Sequence, residues 1–278
     1  MGVQNIQHTP HFAYSTPPLR AMTASPGSTV LFVTSVVGRP VAPLVRTATL
    51  ARRMASRLLV LAVTGDLRWP RRSRPRGGPG AAGTSVEDWA RRMVPWATIE
   101  TAPGDLRHAA TRVSGALAPR LIVVPRGELV RPSDAIDLAH ACGAPVLVAR
   151  PAAGNDTVLA ASDLRDPRAS VVRMAAEVAL HFGAPLLVLH NAERGSSAAS
   201  RLGEVLARLD VAADGVLVSS PSTTDALLGA ARARDVDLLV VGSHRAASRA
   251  GVAAEVLERA RRSVLVLPLT RRRARRGS

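Results

Sequence analysis

From Thr29 onward, short β-branched and aliphatic runs alternate with Ala/Arg/Leu segments of helical period. That alternation is the pattern of repeated βα units around a parallel sheet. In the first half it predicts strands over Thr29–Thr34, Leu58–Val63, Ala97–Thr101, Leu121–Pro125 and Val146–Ala149. The helices expected between them are Ala42–Ser56, Ser85–Arg92, Asp105–Ala116 and Ser133–Ala141. In the second half the strands are Thr157–Ala161, Leu186–His190, Gly215–Ser219, Leu238–Gly242 and Val264–Leu267. Its helices are Pro167–Phe182, Ser196–Leu209, Thr224–Arg234 and Ala253–Arg261. Each half reads β-α-β-α-β-α-β-α-β.

The halves also resemble each other. Arg120-Leu-Ile-Val-Val-Pro125 parallels Asp237-Leu-Leu-Val-Val-Gly242, and Pro145-Val-Leu-Val148 parallels Ser263-Val-Leu-Val266, at an offset of about 117 residues. The first strands, at Val30-Leu31 and Val158-Leu159, are offset by 128, so the first half carries about 11 extra residues. The aperiodic, Arg/Pro/Gly-rich segment 68–83 accounts for them. The expected organisation is a polar, flexible tail at 1–27, a first domain at 28–152, a boundary near Gly154-Asn155, a second domain at 155–268 and a basic tail at 269–278.

Composition narrows the function classes. Cys142 is the single cysteine, which excludes intrachain disulfides and cysteine zinc sites and reads as a structural thiol. Aromatics make up 3%, too few for a single-strand binding surface built on base stacking. No apolar run approaches a membrane span, and the N-terminus lacks an apolar signal core, so a cytoplasmic protein is expected. No pair among the seven histidines has metal-ligand spacing, and no nucleophile elbow is present, so neither a metal ligand set nor a catalytic triad is expected.

Ligands of open doubly wound sheets bind beyond the carboxyl ends of the strands, where the strand order reverses. For a five-stranded unit that point lies between the first and fourth strands. In the second half it is bordered by Asp163, after strand one, and by Val241-Gly242-Ser243-His244-Arg245, ending strand four. A carboxylate there can accept from a ribose hydroxyl or a base amine. Gly242 lets a ligand approach the backbone closely, unless Asp163 merely caps the next helix and Gly242 only makes a turn. In the first half the same positions hold Ser35 and Pro125, which lack the carboxylate and the backbone N–H, so no nucleotide is expected there.

At these residues the chain resembles the universal stress protein family in its tandem form. The resemblance is carried by Val158-Leu-Ala-Ala-Ser-Asp163, Pro185-Leu-Leu-Val-Leu-His190, Asp237-Leu-Leu-Val-Val-Gly-Ser243, and Val256-Leu-Glu-Arg-Ala260 running into Val264-Leu-Val-Leu-Pro268. It covers about residues 28–268 and is weaker in the first half. It implies two Rossmann-like, HUP-type α/β units with strand order 3-2-1-4-5 and helices on both faces. It also implies no enzymatic reaction, a role in stress adaptation, and pairing of the units through their fifth strands. ATP-binding members carry an aspartate after strand one, matched by Asp163, and a residue after strand two that meets adenine, near Asn191. They also carry a glycine pattern after strand four, G-x2-G-x9-G-[ST]. Gly242 matches its first glycine, but Arg245 replaces the second, and Gly251-Val252 arrives early without a G-[ST] pair. The implied nucleotide site, for ATP or a related nucleotide, is therefore Asp163, Asn191, Val241, Gly242, Ser243, Arg245, Gly251 and Val252. Its backbone nest for phosphates is incomplete, and His244, Arg245 and Arg249 are left to supply positive charge.

Charge adds one further expectation. All 37 basic residues are arginine, and the net charge is +16. Ten of them lie in two segments without acidic residues, and removing these leaves +6. A polyanion partner, if one exists, is expected at Arg71, Arg72 and Arg74 or at Arg272, Arg273 and Arg275. The rival reading of the second half is a nucleotide-free interaction scaffold.

Overall fold

The computed structural model describes residues 3–4, 28–36, 40–64, 85–150, 157–164, 166, 168–192, 197–244 and 251–269. In the first half the strands are β1 Val3–Gln4, β2 Thr29–Ser35, β3 Arg57–Val63, β4 Thr98–Ala102, β5 Leu121–Pro125 and β6 Val146–Ala149. Its helices are α1 Val41–Arg53, α2 Val86–Met93, α3 Leu106–Leu117 and α4 Asp134–Cys142. The second half contains β7 Val158–Ala161, β8 Leu186–Asn191, β9 Asp214–Val218, β10 Leu238–Ser243 and β11 Ser263–Pro268. Its helices are α5 Ser170–Phe182, α6 Ala198–Leu209, α7 Thr223–Ala233 and α8 Val252–Arg259.

Every expected strand and helix from Thr29 to Pro268 forms, with ends shifted by at most three residues. Local chemistry explains the shifts. Ser85 and Asp105 are caps and not first helical residues: their side chains accept the N–H of Asp88 and of His108. Gly143 and Gly183, at φ +62° and +64°, end α4 and α5 in the left-handed conformation.

The strands lie in the order β1-β9-β8-β7-β10-β11-β6-β5-β2-β3-β4. Read from each outer edge inward, each half follows 3-2-1-4-5, with all neighbours inside a half parallel apart from β1. β6 and β11 meet antiparallel, Val148 opposite Val264 and Val146 opposite Val266, so the two five-stranded sheets form one continuous sheet. Alternate residues of each strand feed opposite faces. Leu31, Val33, Leu239 and Val241 pack with α3, α4, α7 and α8. Val30, Phe32, Leu238 and Val240 pack with α1, α2, α5 and α6. Burial on both faces is why the central strands are continuously apolar.

Side chains close the seam between the halves. Arg53 donates to the carbonyls of His181 (3.0 Å) and Phe182 (2.7 Å) at the end of α5. Arg46 stacks over the Phe182 ring at 5.2 Å, Arg120 pairs with Glu177, and the Ser133 hydroxyl donates to Glu258 at 2.9 Å.

Two residues within the expected tail at 1–27 are described. Val3–Gln4 forms a short strand, antiparallel to β9 with Val3 opposite Val218. β9 is otherwise an edge, and its unpaired N–H and C=O groups accept a partner regardless of that partner's hydrophobic pattern. The rest of that tail lies outside the described residues. So do most of the 68–83 segment's surroundings and all of that segment, the Gly154-Asn155 boundary, the basic tail after Leu269, and with them Arg71, Arg72, Arg74, Arg272, Arg273 and Arg275.

Candidate functional site

The carboxyl ends of β7 and β10 border a cleft of about 600 Å³. It lies at the reversal of strand order, where an open parallel sheet offers strand ends that no crossover covers. Asp163, Asn191, Gly242, Ser243, Gly251 and Val252 all line it. Val241 does not: it lies one residue before Gly242 on β10, and its side chain is buried in the core with α7 and α8. Arg245 lies outside the described residues.

Several polar groups of the lining are spent on the fold. Asn191 is spent. Its Nδ2 donates to the Ser220 carbonyl and to Thr223 Oγ1, both at 2.9 Å, and its Oδ1 accepts the Ser220 N–H at 3.0 Å. The side chain thereby ties the β9–α7 turn to β8 and leaves only main chain to meet a ligand. Asp166 is spent as well. Its oxygens accept the N–H groups of Ser170 (2.7 Å) and Arg168 (3.0 Å) at the start of α5. Burial pushes its carboxyl up, but those donors, the Ser170 hydroxyl and nearby His244 outweigh it and hold the group below the usual carboxylate value. Asp163 therefore does not cap α5; it stands exposed at the rim of the cleft.

His190 is the main polar residue missed by the sequence reading. It is buried at the end of β8 and faces the cleft. Its Nδ1 lies 2.7 Å from the Ser162 carbonyl, an acceptor only, so Nδ1 carries the proton. In the neutral ring Nε2 is then an acceptor. The apolar floor was also missed: Val171 and Val172 of α5, Leu189, Leu269 and Ile136. Ile136 belongs to α4 of the first half, brought here by the joining of β6 to β11. Leu164 at φ +55° and Ala169 at φ +47° carry backbone strain beside the cleft.

Gly242 serves a different close approach from the one expected. A Cβ there would sit 2.4 Å from Leu269 Cδ1 and 2.9 Å from Val171 Cγ2. The glycine thus lets the chain's own Leu269 cross the strand, held by its N–H to the Ser243 carbonyl at 2.7 Å. Gly251, at φ +146°, opens α8 in a conformation that only glycine adopts readily.

At the corresponding strand ends of the first half, a carboxylate of the chain itself is present. After β5, Arg126–Glu128 makes one 3-10 turn that returns Glu128 to the end of β2. The Thr34 hydroxyl donates to its Oε1 at 2.9 Å and the Ser35 N–H to its Oε2 at 3.1 Å, at 8% exposure. Among the described residues, no group of three His, Cys, Asp or Glu could hold a metal, and no helix is long and apolar enough to cross a membrane.

Solved structures share this architecture. A universal stress protein from Archaeoglobus fulgidus DSM 4304 matches at TM-score 0.57 and 15% identity, over 86% of this chain and 98% of that one. A Pseudomonas aeruginosa UCBPP-PA14 protein described as a universal stress protein matches at TM-score 0.62 and 17% identity, over 86% and 92%. A functionally unknown protein from P. aeruginosa PAO1 matches at TM-score 0.58 and 16% identity, over the same shares. No protein-family model and no curated protein matches the sequence. The chain has the universal stress protein fold, in tandem, along most of its length.

Proposed function

We propose that the chain is a non-catalytic protein of the universal stress type, acting in stress adaptation, that takes one adenine nucleotide such as ATP in the second-half cleft. The observation that carries this reading is the cleft's position and lining. It lies at the reversal of strand order and has the volume of a small-molecule site. An apolar floor of Val171, Leu189 and Ile136 suits a base, and Asp163 and His190 are acceptors for its amine or for ribose hydroxyls. The first half, with Glu128 in the equivalent place, takes none. Calorimetry of the full chain with ATP tests this: one site per chain is expected, weakened roughly tenfold or more by Asp163→Asn, the scale of a hydrogen bond to a charged group. No heat at millimolar ATP overturns it.

One observation favours the nucleotide-free scaffold instead. Leu269 lies over Gly242, where a bound nucleotide would meet the backbone. If Leu269→Ala creates ATP binding that the native chain lacks, the scaffold reading stands.

A further inference from the structure

Beyond the ends of β5 and β6, two arginines stand side by side. Pro125 and Ala149 are register partners, so Arg126 and Arg150, the next residue on each strand, are neighbours at the carboxyl end of the first-half sheet. Arg150 is fixed from the other half: its N–H donates to Ser263 Oγ at 3.0 Å. Both residues are half-buried, and the Nε of each is shut off from water with no hydrogen-bond partner.

Among the described residues, neither guanidinium makes an ion pair. Glu128, two residues past Arg126, is committed to Thr34 and Ser35. Burial holds Arg150 below the ordinary arginine value, and the charge of Arg126 lowers it further. Like charges placed together with their buried donors unmet cost folding energy. Such an arrangement is explained when a bound anion supplies the acceptors that the described residues do not.

We propose that Arg126 and Arg150 form an oxyanion site that takes a phosphate group, separate from the second-half cleft. A phosphate dianion cancels both charges, and its oxygens accept from two planar donor forks at once. A carboxylate brings one charge and fewer oxygens, so it fits less well. The phosphate is either free or carried on a small metabolite; the two present the same oxygens.

Inorganic phosphate titrated against the full chain, followed by thermal unfolding and calorimetry in a chloride buffer, tests the site. Saturable stabilisation is expected in the native chain. It should be lost in the Arg126→Gln/Arg150→Gln double variant and kept in Asp163→Asn. Each single variant, and Arg150→Lys, which keeps the charge but not the fork, should weaken binding roughly tenfold. Without phosphate, the double variant should unfold no earlier than the native chain, since its repulsion is relieved. Parallel titration with ribose 5-phosphate identifies the source: stabilisation by both compounds assigns the phosphate monoester group, and by inorganic phosphate alone assigns the free ion. No saturable effect of either by about 10 mM, a millimolar-range limit, overturns the proposal. So does an effect that survives the double variant, or one abolished by Asp163→Asn.

Discussion

The two halves share one topology and differ where β2 and β5, or β7 and β10, end. In the first half Pro125 closes the strand and Glu128 returns a carboxylate to Thr34 and Ser35. In the second half Gly242 continues into Ser243, Asp163 stays at the rim, and a cleft of about 600 Å³ remains. Two carboxylates thus stand at equivalent places in different surroundings. Glu128 satisfies backbone and hydroxyl donors inside the protein, while Asp163 stands at a mouth open to solvent. A duplicated fold does not duplicate its strand ends; the few residues after β5 and β10 decide which groups stand there.

The comparison breaks most visibly at Glu128. Glu128→Ala leaves the Thr34 hydroxyl and the Ser35 N–H buried and unmatched, with an expected loss of about 2–3 kcal/mol in denaturant unfolding. Glu128→Gln keeps an acceptor and should recover most of it. Asn191→Ala releases the Ser220 and Thr223 contacts, with an expected loss of about 1–2 kcal/mol. Hydrogen exchange should then accelerate at Ser220–Thr223 and leave the first-half turn at Arg126–Glu128 unchanged. Gly242→Ala drives a methyl into Leu269 and Val171 and should cost about 1 kcal/mol, removed when Leu269→Ala is added. Asp163→Asn, at an exposed rim, should change stability by under about 0.5 kcal/mol, so a large loss would erase the contrast with Glu128.

The smallest effect belongs to the seam. His181 is held below its ordinary 6.5, by burial first and by Arg120, against the opposing pull of Glu177 and a hydrogen bond to its carbonyl from Arg53. A histidine whose folded value is depressed favours the unfolded chain when it protonates. Its contribution is therefore complete above about 6.5 and fades as pH falls through the lower folded value. Unfolding midpoints between neutral and mildly acidic pH should show this decline, and His181→Asn should flatten it.

Much of this was legible in residues alone. The strands, the helices and the strand ends that border the cleft follow from runs such as Leu121–Pro125 and Leu238–Gly242, while the order 3-2-1-4-5 follows from the family resemblance. Asp163 is legible at the cleft because strand ends are easy to locate in apolar runs, and Asn191 through the family resemblance. Val241 is buried and does not line the cleft, because a motif names a position and not the depth at which its side chain lies. His190 was passed over because one histidine at the end of an apolar run carries no spacing signal. Glu128 and Leu269 were not seen because neither belongs to a periodic pattern; each acts only through residues some 90 and 27 positions away.

Hydrophobic period and turn chemistry are local, so the sequence by itself determined the elements, the duplication and the ends where ligands meet such a sheet. Which polar groups are consumed, which side chains reach back over each strand end, and that Ile136 of one half walls the cleft of the other depend on contacts between distant segments. Those were decided only in the tertiary structure, when β6 joined β11 and when Glu128 and Leu269 each reached back across a strand end.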